Sequence, residues 1–124
     1  MRFDKLTIKS QEALGEAQNL ASGRGHSEIQ PAHLLRALLG QPEGSTVPVL
    51  QKLGLRIDAL QGEAEQLLET LPKVSGGAQA QLGRSTSRIL EAATAEATAL
   101  KDEYVSTEHL LLALANDKQD PAAK

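Results

Sequence analysis

The chain repeats itself at an offset of 76 residues, without a gap. Gln30-Pro31-Ala32-His33-Leu34-Leu35-Arg36-Ala37-Leu38-Leu39 returns as Ser106-Thr107-Glu108-His109-Leu110-Leu111-Leu112-Ala113-Leu114-Ala115. The same offset aligns Leu6 with Leu82, Leu14 with Leu90, Ala17 with Ala93, Ala21 with Ala97 and Ile29 with Val105. Apart from the paired histidines the residues that match between the copies are apolar, so a packing unit recurs and not a reactive group. A duplicated unit implies two copies on a shared core with a seam between them. Seams and clefts are where binding modules hold ligands, so the pattern points to recognition ahead of catalysis.

The residues available decide the fold class. Leu, Ile, Val and Phe make up roughly a quarter of the chain, above the level expected of a disordered one. Phe3 and Tyr104 are the only aromatic residues, and Trp is absent. A core built from Leu and Ala favours helices and disfavours strands, so an all-α fold is expected. At 124 residues the chain suits one domain with a real core and is too short for two independent ones.

A net charge of −3, with no stacking aromatics, gives no footprint for nucleic acid. With no Cys there is no disulfide framework and no thiolate chemistry. Met1-Arg2-Phe3-Asp4-Lys5 lacks the apolar run of a signal peptide, and no stretch has the length of a membrane span. The expectation is a soluble, cytoplasmic protein without a membrane partner.

Helical periodicity places Leu6, Ala13, Leu14, Ala17, Leu20 and Ala21 on one face, ending at Ser22-Gly23-Arg24-Gly25. A second helix starts at Pro31, where a missing N–H costs nothing, and Ser106 is the matching N-cap in the second copy. A third, capped by Ser45 or Thr46, carries Val47, Val49, Leu50 and Leu53 and stops at Gly54. Asp58 and Gln61 resemble a capping box opening a fourth, with Leu60, Ala64, Leu67, Leu68 and Leu71 on one face before Pro72. The organisation read from this is a first repeat over 1–72, a flexible Gly/Ser/Ala/Gln joint over 73–81, and a second repeat over 82–124. The second repeat stops after two helices, about 107–115 being its last, so Leu110, Leu111 and Leu114 are expected to lose part of their cover. That predicts association of the chain and fraying after about Asp117.

Catalytic patterns are missing. His33 and His109 lack Cys partners, an HExxH arrangement or a carboxylate cluster, so they read as structural groups bonding within their own copies and not as metal ligands. His26, in a Gly-rich turn, is expected in solvent. No Gly-Lys pair makes a phosphate loop, no GxGxxG follows a strand, and no GxSxG elbow or Ser/His/Asp set is suggested. Lys101-Asp102-Glu103-Tyr104 with Glu108 reads either as a solvated loop or as an acidic rim of a binding groove.

Met1-Arg2-Phe3-Asp4-Lys5-Leu6-Thr7, followed by the Gln30–Leu39 motif, resembles the N-terminal domain of Clp-family AAA+ unfoldases over nearly the whole chain. Leu71-Pro72-Lys73-Val74-Ser75-Gly76 looks like the joint of the ClpB, or disaggregase, branch; the protease-linked ClpA and ClpC branches open differently. The resemblance implies a pseudo-twofold, all-α, double-repeat domain of eight helices, tethered to a hexameric ATP-driven ring. It implies capture of unfolded or aggregated polypeptide in a surface groove, with Thr7, Asp102 and Glu108 at positions of substrate contact and Tyr104 beside them. ATP and magnesium would belong to ring modules outside this chain, which itself implies no cofactor. The alternative implied is an adaptor- and substrate-binding N-domain of a ClpA/ClpC-type protease subunit. An independent hydrolase would need a triad or metal set not visible in the sequence.

Overall fold

A computed structural model describes residues 5–41, 46–71 and 80–116. Among them lie six helices and two very short strands. In chain order these are α1 (Ile8–Gly23), β1 (Glu28–Ile29), α2 (Pro31–Leu39), α3 (Thr46–Lys52), α4 (Ile57–Glu69), β2 (Gln81–Leu82), α5 (Arg84–Ala99) and α6 (Thr107–Asn116). The helical class follows the Leu/Ala composition. No helix among the described residues is long and apolar enough to cross a membrane.

The two copies build matching helix pairs, α1 on α2 and α5 on α6. Ala13, Leu14, Ala17 and Ala21 are buried along α1, and Ile89, Leu90, Ala93 and Ala97 hold the equivalent places on α5. Small Ala residues on these faces let the paired helices approach closely. The helices end alike: the His26 N–H returns to the Ala21 carbonyl and the Asp102 N–H to the Ala97 carbonyl, each at 2.8 Å. The reversal uses Gly25 at φ 77° in one copy and Lys101 at φ 60° in the other. Only Gly takes such a conformation without steric cost, so Lys101 holds it under strain.

Helix α2 is the hub. Every residue of it except Arg36 is buried, and it packs on α1, α4 and α6. Leu34, Leu38, Leu90, Leu110 and Leu114 form the centre of one core shared by both copies. Arg24 and Arg36 both reach Glu65 on α4, at 2.7 and 3.1 Å, and clasp α4 to the first copy. Hydrogen bonding from Arg24, then Arg36, outweighs burial and holds the Glu65 carboxyl below its ordinary range.

Strands, unexpected from the composition, join the copies crosswise. Ile29 pairs in parallel with Leu82, and Leu6 bridges in parallel to Val105. Under the repeat offset these are one motif used twice. Each is locked by a buried hydroxyl at the equivalent place: Ser10 donates to the Val105 carbonyl at 2.9 Å, and Thr86 to that of Ile29 at 2.5 Å.

Other expectations need correction. Gln81, read as part of the joint, sits in β2; the rest of 73–79 lies outside the described residues, as do Ser45, Pro72 and the segment after Asn116. The Asp58–Gln61 capping box is not made, because the N-cap of α4 falls two residues earlier, at Arg56. Asp58 Oδ1 accepts the Ala59 N–H, and the Gln61 carboxamide donates to the Leu39 carbonyl. Leu110 and Leu114 keep their cover, since α2, α5 and the Leu residues of the shared core bury them, whereas Leu111 is only partly buried. The exposed apolar residue on α6 is Leu112, 41% exposed.

Candidate functional site

The paired histidines cap their helices. The Gln30 N–H donates to His33 Nδ1 at 2.8 Å, and the Ser106 N–H to His109 Nδ1 at 2.9 Å. An acceptor at Nδ1 places the ring hydrogen on Nε2. From there His33 donates to His26 Nδ1 at 2.8 Å, and His109 donates to Asp102 Oδ2 at 3.0 Å. His26 is therefore a buried partner, 3% exposed, and not the solvated residue that its Gly-rich turn suggests. Burial, then the neighbouring His26 and Arg24, lowers the His33 pKa from 6.5 to about 4.

The second copy brings Ser106, His109 and Asp102 into one row, the residue types of a hydrolytic triad, which the sequence did not suggest. Ser106 Oγ lies 3.0 Å from His109 Nδ1. Yet that nitrogen already accepts the Ser106 backbone N–H, and Ser106 Oγ accepts the His109 N–H at 3.4 Å. The first copy builds the same bracket with Gln30 and His26 in place of Ser106 and Asp102. The row is an N-cap, and no base is left to activate the hydroxyl.

Of the four candidate contact residues, the structure gathers three around the Leu6–Val105 bridge. Thr7 caps α1: its hydroxyl accepts the Ser10 N–H and donates to Ser10 Oγ, while its N–H donates to the Val105 carbonyl at 3.0 Å. Asp102 spends one carboxylate oxygen on His109. Tyr104, 48% exposed, has Lys5 Nζ 6.0 Å from its ring centroid, at the outer limit of a cation–π contact. Thr7 is thus committed to internal bonds, whereas Asp102, with its side chain half exposed, and Tyr104 both present open faces.

Glu108 lies elsewhere, in the first turn of α6, where its charge complements the helix N-terminus. It stands on the rim of an apolar groove of about 460 Å³ between α3 and α6. The walls are Val49, Leu53 and Leu55 on one side and Leu111, Leu112 and Ala115 on the other, over Leu35, Leu50 and Leu60. Leu53 is 71% exposed, a costly placement for a large aliphatic side chain in a monomer. The equivalents Leu35 and Leu111 both line the groove, so it lies at the seam between the copies.

Periodicity assigned Leu50, Leu53 and Leu60 to apolar helix faces, and groove residues cannot be told from core residues by spacing alone. One signal was available. Leu100 and Leu112 fall where the first copy has Arg24 and Arg36, so apolar residues replace the charged clasp. Among the described residues, no group of three or more His, Asp or Glu side chains is placed to hold a metal.

Residues 5–124 match the family described as Clp repeat N-terminal domain. ClpB of Rhodopirellula baltica is 44% identical over 114 residues, 92% of this chain, which spans 13% of that relative's length. The Hsp104 N-terminal domain of Candida albicans shares the fold at a TM-score of 0.84 and 21% identity, with 93% of this chain and 76% of that one covered. A ClpV N-domain solved in complex with a VipB peptide superposes at a TM-score of 0.78 and 23% identity, over 94% of this chain and 71% of that one. The duplicated helix pairs, the histidine-capped motif and a family match over almost the entire length converge: the chain belongs to the Clp repeat N-terminal domain family.

Proposed function

We propose that this chain is the polypeptide-capturing N-terminal domain of a ClpB-type protein disaggregase. The observation that carries this reading is the apolar groove between α3 and α6, open to solvent and edged by Glu108. Such a surface gains by covering Leu53, Leu55 and Leu112 with apolar side chains that a folded client would hide. Likeness to ClpB supports the disaggregase branch, and the ClpV complex supports peptide binding by this fold. In this reading Glu108 and Tyr104 face the client, while Thr7 and Asp102 hold the surface they border.

Threading would be the work of an ATP- and magnesium-dependent hexameric ring in the cytoplasm. The 124 residues contain no phosphate-binding loop, so the chain contributes binding alone. Weak capture suits a module that hands its client onward, because several copies on one ring restore avidity. The test is binding of a permanently unfolded client, reduced and carboxymethylated lactalbumin, measured by fluorescence anisotropy. The double variant Leu53→Ser, Leu112→Ser should weaken it about tenfold. Undiminished binding by the folded variant would remove the groove from the proposal.

A further inference from the structure

Leu6 and Leu82, equivalent under the repeat, both line a second cavity of about 620 Å³. Leu14 and the glutamines Gln11, Gln18 and Gln81 complete most of its described wall, and among the described residues no charged side chain contributes to it. Among the described residues it shares none with the groove between α3 and α6.

Leu82 presents an open strand edge. In a parallel pair, alternate residues turn their backbone groups towards the partner strand. The Gln81 N–H reaches the Ser27 carbonyl and the Gly83 N–H the Ile29 carbonyl, each at 3.1 Å. Leu82, between them, therefore turns its N–H and C=O away from β1. Nothing among the described residues bonds either group.

The first copy handles the same edge differently. Gln11 Nε2 donates to the outward Leu6 carbonyl at 3.0 Å. Gln11 lines the cavity, so the outward side of Leu6 is the cavity side, and the repeat symmetry brings the outward side of Leu82 to the same space. The residue equivalent to Gln11 is Ser87, whose short side chain cannot reach back to the Leu82 carbonyl. The second copy has the edge without its cover.

The geometry points to strand addition at Leu82, by an extended polypeptide segment without charged side chains. The segment lies in the cavity with its C=O accepting from the Leu82 N–H and its own N–H donating to the Leu82 C=O. An extended backbone is what offers both groups at strand spacing. Lack of charge follows from the wall, where leucines and carboxamides cannot compensate a desolvated ion. Alternate residues of the segment face Leu6, Leu14 and Leu82 and are aliphatic. The inference rests on the polypeptide-binding reading for its class of ligand, but it adds recognition of the main chain at a separate place.

The test is an NMR titration of the isotopically labelled chain with the capped peptide acetyl-Thr-Val-Thr-Val-Thr-amide, and with the same peptide N-methylated at its central Thr. Shifts at Leu6, Gln11, Leu82 and Gly83, and about tenfold weaker binding of the methylated peptide, are expected. Ser87→Gln, which supplies the missing cover, should weaken the unmodified peptide by a similar factor while its melt confirms folding. Leu53→Ser should leave this peptide unaffected, although it weakens the unfolded client if the groove is the capture site. Equal affinity for both peptides, no binding of either, or shifts confined to Leu111 and Leu112 would overturn strand addition without touching the groove.

Discussion

Asp102 stands where His26 stands in the first copy, and each receives the Nε2 hydrogen of its copy's capping histidine. One fold position is thus filled by an anion in one copy and by a second imidazole in the other. In the first copy, burial and then the facing His26, with Arg24 nearby, oppose a proton on His33.

Acid should therefore destabilise the domain through the first copy. The folded pKa of His33, about 4, lies below its unfolded value of 6.5, so the unfolded chain takes up this proton first. Stability from this group is complete above pH 6.5 and falls as the pH drops towards 4. The total is about 3 kcal/mol. Urea melts at pH 7.5 and pH 5 should show about 2 kcal/mol of it, and His33→Asn should flatten the difference; an unchanged slope in that variant would refute the assignment.

Ser10→Ala and Thr86→Ala should each cost about 1 kcal/mol, at the modest end for buried hydrogen bonds. The carbonyls they leave are not orphaned, because Val105 also accepts from the Thr7 N–H and Ile29 from the Gly83 N–H. Denaturant midpoints should shift with unchanged slope. A loss of several kcal/mol from either would mean that the crosswise pairs depend on the hydroxyl.

Lys101→Gly should stabilise the domain by about 0.5–1 kcal/mol, by relieving the positive φ more than it loosens the unfolded chain. Gly54→Ala should do the opposite by about 1 kcal/mol, for its φ of 83° is strained for Ala although open space surrounds the added methyl. Thermal melts check both signs.

Glu108→Gln should lower affinity for a basic unfolded client two- to fivefold in low salt and change little in high salt, because the carboxylate is exposed and screened. Anisotropy at two salt concentrations decides. A salt-independent loss would point to packing in place of charge.

The four helices of the repeated motif were legible because each carries buried residues at helical spacing, and Pro31 and Ser106 also mark the starts of α2 and α6. The strands were not, since two residues are too short for a period of two to show. His26 was misplaced because a glycine-rich turn says nothing of a partner seven residues on that buries it. The groove was hidden for a related reason. Leu53 looks like a core residue along the chain, and only the three-dimensional placement of α3 beside α6 leaves it uncovered.

The crosswise pairing also sets the order in which the molecule can be finished. Ser10 and Val105 are 95 residues apart, and Ile29 and Thr86 are 57 apart. Local helix formation can run ahead, but closing such loops is slow and gains nothing until both ends meet. A chain emerging from the ribosome therefore cannot seal its opening segment until the helix pair of the second copy has been made. Birth of the domain is a single late event, and half a molecule is an exposed edge waiting for a partner.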